Sequence, residues 1–351
     1  MKTKRALLYG PHDLRIEEVE LPPLQPGQVL IKMGACGICG SDVECFEGKS
    51  KEGRYDIAPY TPGHEWCGEV VEIGKNVTGI HVGKKVAGDC NLACGKCYDC
   101  KSGLHTSACN NFRETGFRPD SPGGMSEYMI IEEQYIYELP DDWSFEEGAW
   151  YETFSIGYYG IWGRDGIIDA SDYAAVLGCG PVGICATMVC ATSGAKTIVV
   201  DPLLSRRNLA LKYGADIVLD PLAPDYKEKM LEATDGHGPS VIAEVSGNDK
   251  SVQSIFEIAG HGCRVNLIGH TVGRKIPIEI GLTQWRTLHI KGAGGTYYFG
   301  PRTIRFMNRI HKKYDLKALN THHFSFDQIH DAFDVAVHDK ANAFKVMLTF
   351  D

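Results

Sequence analysis

AAVLGCGPVGICATMV, residues 174–189, sets Gly178, Gly180 and Gly183 in the pattern G-x-G-x-x-G between an apolar run and a stretch of small and apolar residues. The glycines alone say little. At the end of a strand and the start of a helix they say more. The first permits a tight turn, the second lets backbone approach a pyrophosphate, and the third lets helix and strand pack closely. Pro181 and Val182 complete the turn. The helix that follows presents free N–H groups and a positive dipole end to phosphate oxygens. Such a site calls for an acid about twenty residues on, and Asp201 closes "TIVVD" (197–201) at that distance. A carboxylate there accepts hydrogen bonds from ribose hydroxyls and repels a 2′-phosphate, which predicts NAD rather than NADP. Arg206 and Arg207 pull the other way, since either could neutralise a 2′-phosphate. The competing reading is a turn that binds nothing, with Asp201 as a helix cap.

Outward from this turn, "VIAEVSG", "RVNLIG" and "YGADIVLD" are further short apolar runs between helix-length segments over 151–290. That alternation predicts βαβ units and a parallel sheet. Residues 1–150 have a different texture. "RALLYG", "QVLIKMGACG", "CGEVVEIG", "KKVAGD" and "GGMSEYMIIEE" are short β segments broken by Gly and Pro, as in a barrel or sandwich. In the last sixty residues "TIRFMNRIHKKY" and "FDQIHDAFDVAVHD" are helix-like, and "AFKVMLTF" is a closing strand. The chain is therefore α/β with a second, β-rich part. Its 351 residues suit roughly two domains.

No run of eighteen apolar residues predicts a membrane span, and "MKTKRALLYG" lacks the apolar core of a signal peptide. A cytoplasmic protein is expected. In that reducing setting the thirteen cysteines, nine of them within the first 109 residues, are thiols or metal ligands rather than disulfides. The net charge of −9, without a Lys or Arg block, argues against nucleic acid and against a polybasic membrane patch.

"ACGKCYDCKSGLHTSAC" (93–109) packs Cys94, Cys97, Cys100 and Cys109 into one loop. Four thiolates suit a closed tetrahedral zinc with no position left for substrate, hence a structural site. An iron–sulfur cluster is the rival, but the C-x3-C-P continuation of ferredoxin-type runs is missing. Cys90 could replace Cys109. A catalytic metal needs fewer ligands and an open position. Candidates are Cys39 in "CGICGSD", His64 with Glu65 in "TPGHEWCGEV", and Glu152 in "AWYETF". Each alone is more often structural; the dinucleotide pattern gives them joint meaning, because hydride transfer needs a group that polarises the carbinol oxygen.

With "CGICGSDV", "GHEWCGEVVEIG", "CGKCYDC", "GGMSEYMII" and "VLGCGPVG" in order, the chain resembles the zinc-dependent medium-chain dehydrogenase/reductase family over essentially its whole length. It looks most like the sorbitol and polyol branch, which has a glutamate where Glu152 stands. The resemblance implies a GroES-like catalytic domain over 1–154 and 291–351, with a structural-zinc lobe at about 90–110. It implies a Rossmann NAD-binding domain over 155–290, with the active site in the cleft between them. By position, Cys39, His64 and Glu152 hold a catalytic zinc, and Glu65 ligates it intermittently or through water. Asp42 orients a zinc-bound histidine, and Ser41 takes the substrate proton. The lobe resembles the family's structural zinc site, so two zinc ions per chain are expected.

Two departures stand out. Eight residues separate Cys100 from Cys109, where many members have seven. Glu44 stands where many carry a histidine, three residues after the proton-accepting hydroxyl; it either passes a proton to solvent or is a plain surface acid. The expected function is hydride transfer between a polyol, sugar alcohol or cyclitol and NAD. The alternatives are a threonine-type amino-alcohol dehydrogenase and a catalytically silent cofactor-binding protein, the latter disfavoured by intact Cys39, Ser41, His64 and Glu152. Lys49, Lys51, Arg54, Tyr55, Arg113 and Arg118 could meet a charged substrate, but are read first as solvated loop charges. A homo-oligomer is expected, a tetramer before a dimer.

Overall fold

The computed structural model describes residues 1–49, 57–103, 105–162, 168–269, 273–295 and 299–351; Lys51, Arg54 and Tyr55 lie outside them. The chain divides into two units, one of Met1–Glu152 with Gly295–Asp351 and the other Thr153–Gly294.

In the first unit "QVLIKMGACG" becomes the strand Gln28–Gly37, the spine of a seven-stranded sheet. The order is Asn320–Ser325, Lys345–Thr349, Gln28–Gly37, Glu65–Ile73, Lys85–Gly88, Ile136–Glu138, and Tyr128–Glu132 also pairs with the spine. One edge of the spine serves two partners, Tyr128–Glu132 along residues 28–32 and Lys345–Thr349 along 35–37. Against Glu65–Ile73 its register shifts between Leu30 and Ile31 and again between Met33 and Ala35. Such bulges bend a strand, as a barrel-like sheet requires. The core joins both ends of the chain: Val29, Ile31, Met33, Trp66 and Val70 pack with Phe333, Val346 and Leu348.

Glu152 lies on the helix Phe145–Trp162. That helix begins with a capping box. Ser144 Oγ accepts the Glu147 N–H at 3.2 Å, and the Glu147 carboxylate accepts the Ser144 N–H at 2.8 Å. Ala149, Trp150, Tyr151 and Phe154 are all buried on it.

The second unit is a six-stranded parallel sheet in the order Ile217–Leu219, Lys196–Val200, Tyr173–Leu177, Val241–Glu244, Arg264–Leu267, His289–Gly292. In chain order that is 3-2-1-4-5-6, the doubly wound arrangement. Its ligand crevice opens at the carboxyl ends of the two central strands, where the winding reverses. The neighbouring strands Tyr173–Leu177 and Lys196–Val200 are buried along nearly their whole length, as in a parallel sheet covered on both faces, while the edge strand His289–Gly292 is exposed. Among the described residues no helix is long and apolar enough to cross a membrane.

Candidate functional site

The register of two strands builds the first donor set. Gly37 pairs with Glu65 in antiparallel sense. The chain leaving Gly37 reaches Cys39, and the chain arriving at Glu65 comes from His64, so both emerge at one end of the sheet. Cys39, His64 and Glu65 each bring a ligand atom within 4.8 Å of the others. Asp42, in the first turn of the helix Gly40–Phe46, ties the two segments together. Its carboxylate accepts the N–H of Cys39 at 3.0 Å and that of Gly63 at 3.2 Å, and lies 3.8 Å from His64 Nδ1. Phe117 stacks on the His64 ring with centroids 4.9 Å apart.

Burial alone would depress the His64 pKa, yet Asp42, Cys39 and Glu152 outweigh it and raise it well above the ordinary value. Glu152 is buried outside the close trio. Burial pushes its carboxyl up to about 7, His64 opposes that, Glu65 adds to it and Lys345 opposes it. A buried imidazole stands here among a thiol and three carboxyl groups, and this N, S and O donor set fits zinc. One cation is already present: Lys345 Nζ donates to Glu65 Oε2, both side chains 3% exposed. On the Gly40–Phe46 helix Ser41 is half-buried and Glu44 is exposed.

The second donor set is Cys94, Cys97, Cys100 and Cys109, again within 4.8 Å. Cys97 Sγ lies 3.4 Å from that of Cys100 and 3.9 Å from that of Cys109. A tetrahedron with Zn–S bonds of about 2.3 Å has edges of about 3.8 Å, so these sulfurs stand where one zinc would hold them. Backbone N–H groups of Lys96 and Cys97 draw the Cys94 pKa down to about 6 against burial, which favours the thiolate a metal needs. The Cys90 thiol is not in the group; it faces the Thr115 carbonyl at 3.8 Å.

In the second unit the three fingerprint glycines differ in what a side chain would meet. Gly178 has φ +102°, and a Cβ there would lie 2.8 Å from Ser246 Cβ. A Cβ on Gly183 would lie 2.1 Å from the Gly178 carbonyl oxygen. At Gly180 a Cβ meets nothing within 4 Å, the open approach a pyrophosphate needs. Gly180 also caps the helix Pro181–Thr192 without a side-chain bond, Pro181 and Val182 forming its first turn. Asp201 joins this turn to the next loop, accepting the Cys179 N–H at 2.8 Å and the Leu203 N–H at 2.9 Å. A cavity of about 940 Å³ beside it is lined by Gly178, Asp201, Pro202, Tyr226, Ser246 and Asn248.

Among the described residues neither arginine lines that cavity. Arg207 binds the carbonyls of Asp201 and Pro202 and pairs with Asp220 at 3.1 Å. Arg206 is partly buried, and burial lowers its pKa while Cys179 and Asp201 oppose that. Arg113 pairs with Glu132 and Arg118 with Asp120, so both are neutralised locally.

Sequence reasoning missed Lys345, Phe117 and Glu244. Glu244 is fully buried and accepts the N–H groups of Ser246 and Gly247 and the Ser251 hydroxyl, shaping the loop against Gly178. The available signal was a charge inside an apolar strand run, in "AFKVMLTF" and "VIAEVSG".

Residues 25–141 match the family described as Alcohol dehydrogenase GroES-like domain, and residues 181–308 match Zinc-binding dehydrogenase. The chain is 30% identical to sorbitol dehydrogenase of Bacillus subtilis, over 98% of this chain and 96% of that one. It is 32% identical to L-threonine 3-dehydrogenase of Pyrococcus furiosus, over 95% and 94%. A short chain alcohol dehydrogenase of Escherichia coli CFT073, solved with NADH, superposes with a TM-score of 0.89 at 26% identity, covering 99% of each chain.

Proposed function

Because this chain belongs to the zinc-dependent medium-chain dehydrogenase/reductase family, and is therefore an oxidoreductase, we propose that it oxidises a secondary alcohol of the polyol, sugar-alcohol or cyclitol type with NAD. The observation that carries this is the gathering of Cys39, His64 and Glu65 in a chain that also has the dinucleotide turn. A zinc held there would lower the pKa of the substrate hydroxyl, and NAD would supply the acceptor for the hydride and its electron pair, the alcohol becoming a ketone.

The chain's own residues do the rest. Cys39, His64 and Glu152 hold the catalytic metal and Glu65 stands in reach of it. Asp42 keeps the two ligand segments together and faces the free nitrogen of His64, the usual support for a metal-bound imidazole. Ser41 takes the hydroxyl proton and passes it outward, with Glu44 as its exit to solvent. Phe117 covers one face of His64 and keeps water from it. The four-cysteine lobe holds a second, structural zinc. Gly178, Gly180, Gly183 and the start of the Pro181–Thr192 helix receive the pyrophosphate. Asp201 receives the adenosine ribose, and Arg206 stands behind it.

NAD is favoured over NADP because Asp201 places a carboxylate at the cavity and Arg207 is engaged by Asp220. A threonine-type activity is the second reading, supported by the 32% identity to the Pyrococcus enzyme. A screen of polyols, cyclitols and L-threonine, followed by NADH absorbance, tests both. Turnover of the first two classes is expected, and a clear preference for threonine would replace the first reading by the second.

The active form is a homo-oligomer, a tetramer by the resemblance. His289–Gly292 ends the parallel sheet, and Trp285, Ile280 and Ile290 are 75%, 68% and 38% exposed nearby. An open strand edge beside exposed apolar side chains is normally covered. Light scattering tests it: Ile290→Lys should lower the mass of the assembly, and an unchanged mass refutes this edge as the contact. None of the thirteen cysteines is in a disulfide, which suits a cytoplasmic protein.

A further inference from the structure

The helix Gly300–Ile310, GPRTIRFMNRI, buries Thr303, Met307 and Ile310 and turns Arg302, Arg305 and Arg309 outward, all three exposed. The helical turn runs on past its end. His311 N–H donates to the Met307 carbonyl and Tyr314 N–H to that of Ile310, and exposed Lys312 and Lys313 are added. At 100° per residue the five cations fall within about 100° of the circumference, a single stripe about 16 Å long. No Asp or Glu occurs between residues 280 and 314, in a chain of net charge −9. Arg302 lies over the Phe299 ring and Lys313 over that of Tyr314, at 5.0 and 4.8 Å. Among the described residues none of the five makes an ion pair.

Helix stability does not account for the stripe. A cation is favoured at a helix C-terminus, which suits Arg309, but Arg302 sits in the first turn, where a cation is disfavoured. Glu133 and Glu138 share a groove with Pro301 and Ile304 at the start of the helix. Both are engaged, Glu133 by the N–H groups of Thr78 and Gly79 and Glu138 by Lys84. Unpaired cations at this density call for an anionic partner.

An acidic helix matches their spacing. Arg302, Arg305 and Arg309 step forward by three and then four residues. On the helix Ile329–His338 and the short turn Phe326–Gln328 before it, Asp334, Asp331 and Asp327 step back by three and then four. All three are exposed, on the side away from buried Ile329, Ala332 and Phe333. Because every helix rises 1.5 Å per residue, two antiparallel stripes of this kind set three arginines against three carboxylates one for one, and arginine suits carboxylate geometry. Asp327 pairs with Lys4 at 3.1 Å and Asp334 with His338 at 3.0 Å, both at the surface. Among the described residues no ion pair joins the two stripes within one chain.

We propose that the arginine stripe of the helix Gly300–Ile310 docks on the aspartate stripe at 327–334 of a second copy of this chain. This rests on the reading of the active form as a homo-oligomer. A tetramer of two-fold symmetry needs two kinds of contact; the edge at His289–Gly292 supplies one and the charged stripes the other.

Analytical ultracentrifugation of the full chain tests it, with NADH binding as the check that each variant folds. Wild type should lose half its mass between 0.1 M and 1 M NaCl, as the Debye length falls from about 10 Å to about 3 Å. Arg302→Glu with Arg305→Glu and Arg309→Glu should already have the halved mass at 0.1 M, its dissociation constant raised at least about a hundredfold. Asp331→Arg with Asp334→Arg should do the same. Combining the two sets puts opposite charges face to face again and should restore the wild-type mass.

An arginine-set variant of wild-type mass, a combined variant no better than either set alone, or a mass indifferent to salt overturns the proposal. So does wild type that captures a single-stranded oligonucleotide or vesicles of anionic lipid when the arginine-set variant loses that capture at unchanged mass, since the stripe then serves a polyanion. Wild type that sediments as a monomer at every salt concentration overturns the homo-oligomer reading itself, a failure distinct from the others.

Discussion

Replacing Asp201 by Asn separates the two things this residue does. Its carboxylate accepts two backbone N–H groups, from Cys179 at 2.8 Å and Leu203 at 2.9 Å, and it borders the 940 Å³ cavity. An amide of the same shape has one acceptor oxygen, so one of those N–H groups then faces an NH2. Losing one charge-assisted bond and leaving a buried N–H unpaired costs about 2 kcal/mol. For a unit of this size that lowers Tm by about 5 °C. The coenzyme effect adds to it: a hydrogen bond from a ribose hydroxyl to a charged acceptor is worth ~1.5–3 kcal/mol, so NADH affinity should fall roughly tenfold to a hundredfold. NADPH, relieved of a repelling charge, should lose less, and the preference between the two should narrow by at least about tenfold. Calorimetric titrations with NADH and NADPH beside a thermal scan measure all three. An Asp201→Asn variant with unchanged NADH affinity and an unchanged preference would refute the placement of ribose at Asp201. So would a wild type that binds NADPH the more tightly.

Gly180→Ala and Gly183→Ala should part company. The first adds a methyl to open space and should leave Tm within about 2 °C while coenzyme affinity drops tenfold or more, whereas the second drives a methyl into the Gly178 carbonyl and should cost roughly 1–3 kcal/mol of stability; equal thermal shifts would contradict this. Cys97→Ser should lower the zinc content from about two ions per chain to about one and reduce stability more than turnover, and a normally stable variant without activity would count against a structural lobe. His64→Ala and Cys39→Ala should abolish turnover while NADH still binds in calorimetry, with Glu152→Ala milder because water can fill a vacated carboxylate position. Near-normal rates in metal-depleted His64→Ala would end the zinc reading.

The coenzyme unit was legible because its physics is local. A parallel sheet buries both faces, so "AAVL" and "TIVV" read as unbroken apolar runs, and the glycine turn between strand and helix is one short segment. The helix Phe145–Trp162 was not legible. It is apolar nearly all round, "FEEGAWYETFSIGYYGIW", and a helix without a polar stripe has no 3.6-residue period to detect. Cysteine spacing named the lobe but left Cys90 and Cys109 as alternatives. Only the direction of the Cys90 thiol, toward the Thr115 carbonyl, separates them in space.

What stayed hidden shares one cause, sequence separation closed by sheet register. Gly37 stands opposite Glu65 and also opposite Met347. Three strands, begun at Gln28, Glu65 and Lys345, therefore bring one set of ends to one place. Moving along each from that register point gives Cys39, His64 and Lys345, none of which is near the others in sequence. A slip of one residue in either pairing would turn the side chains of that strand to the opposite face and take the donor away from its partners. The two register shifts along this pair, one from an extra residue on the partner at Val71 and one from Gly34 on the spine, cancel, so Gly37 meets Glu65 in the same register in which Val29 meets Ile73. In that register a thiol, an imidazole and a carboxylate come within 4.8 Å of one another, with a lysine two residues before the same pairing point on the third strand.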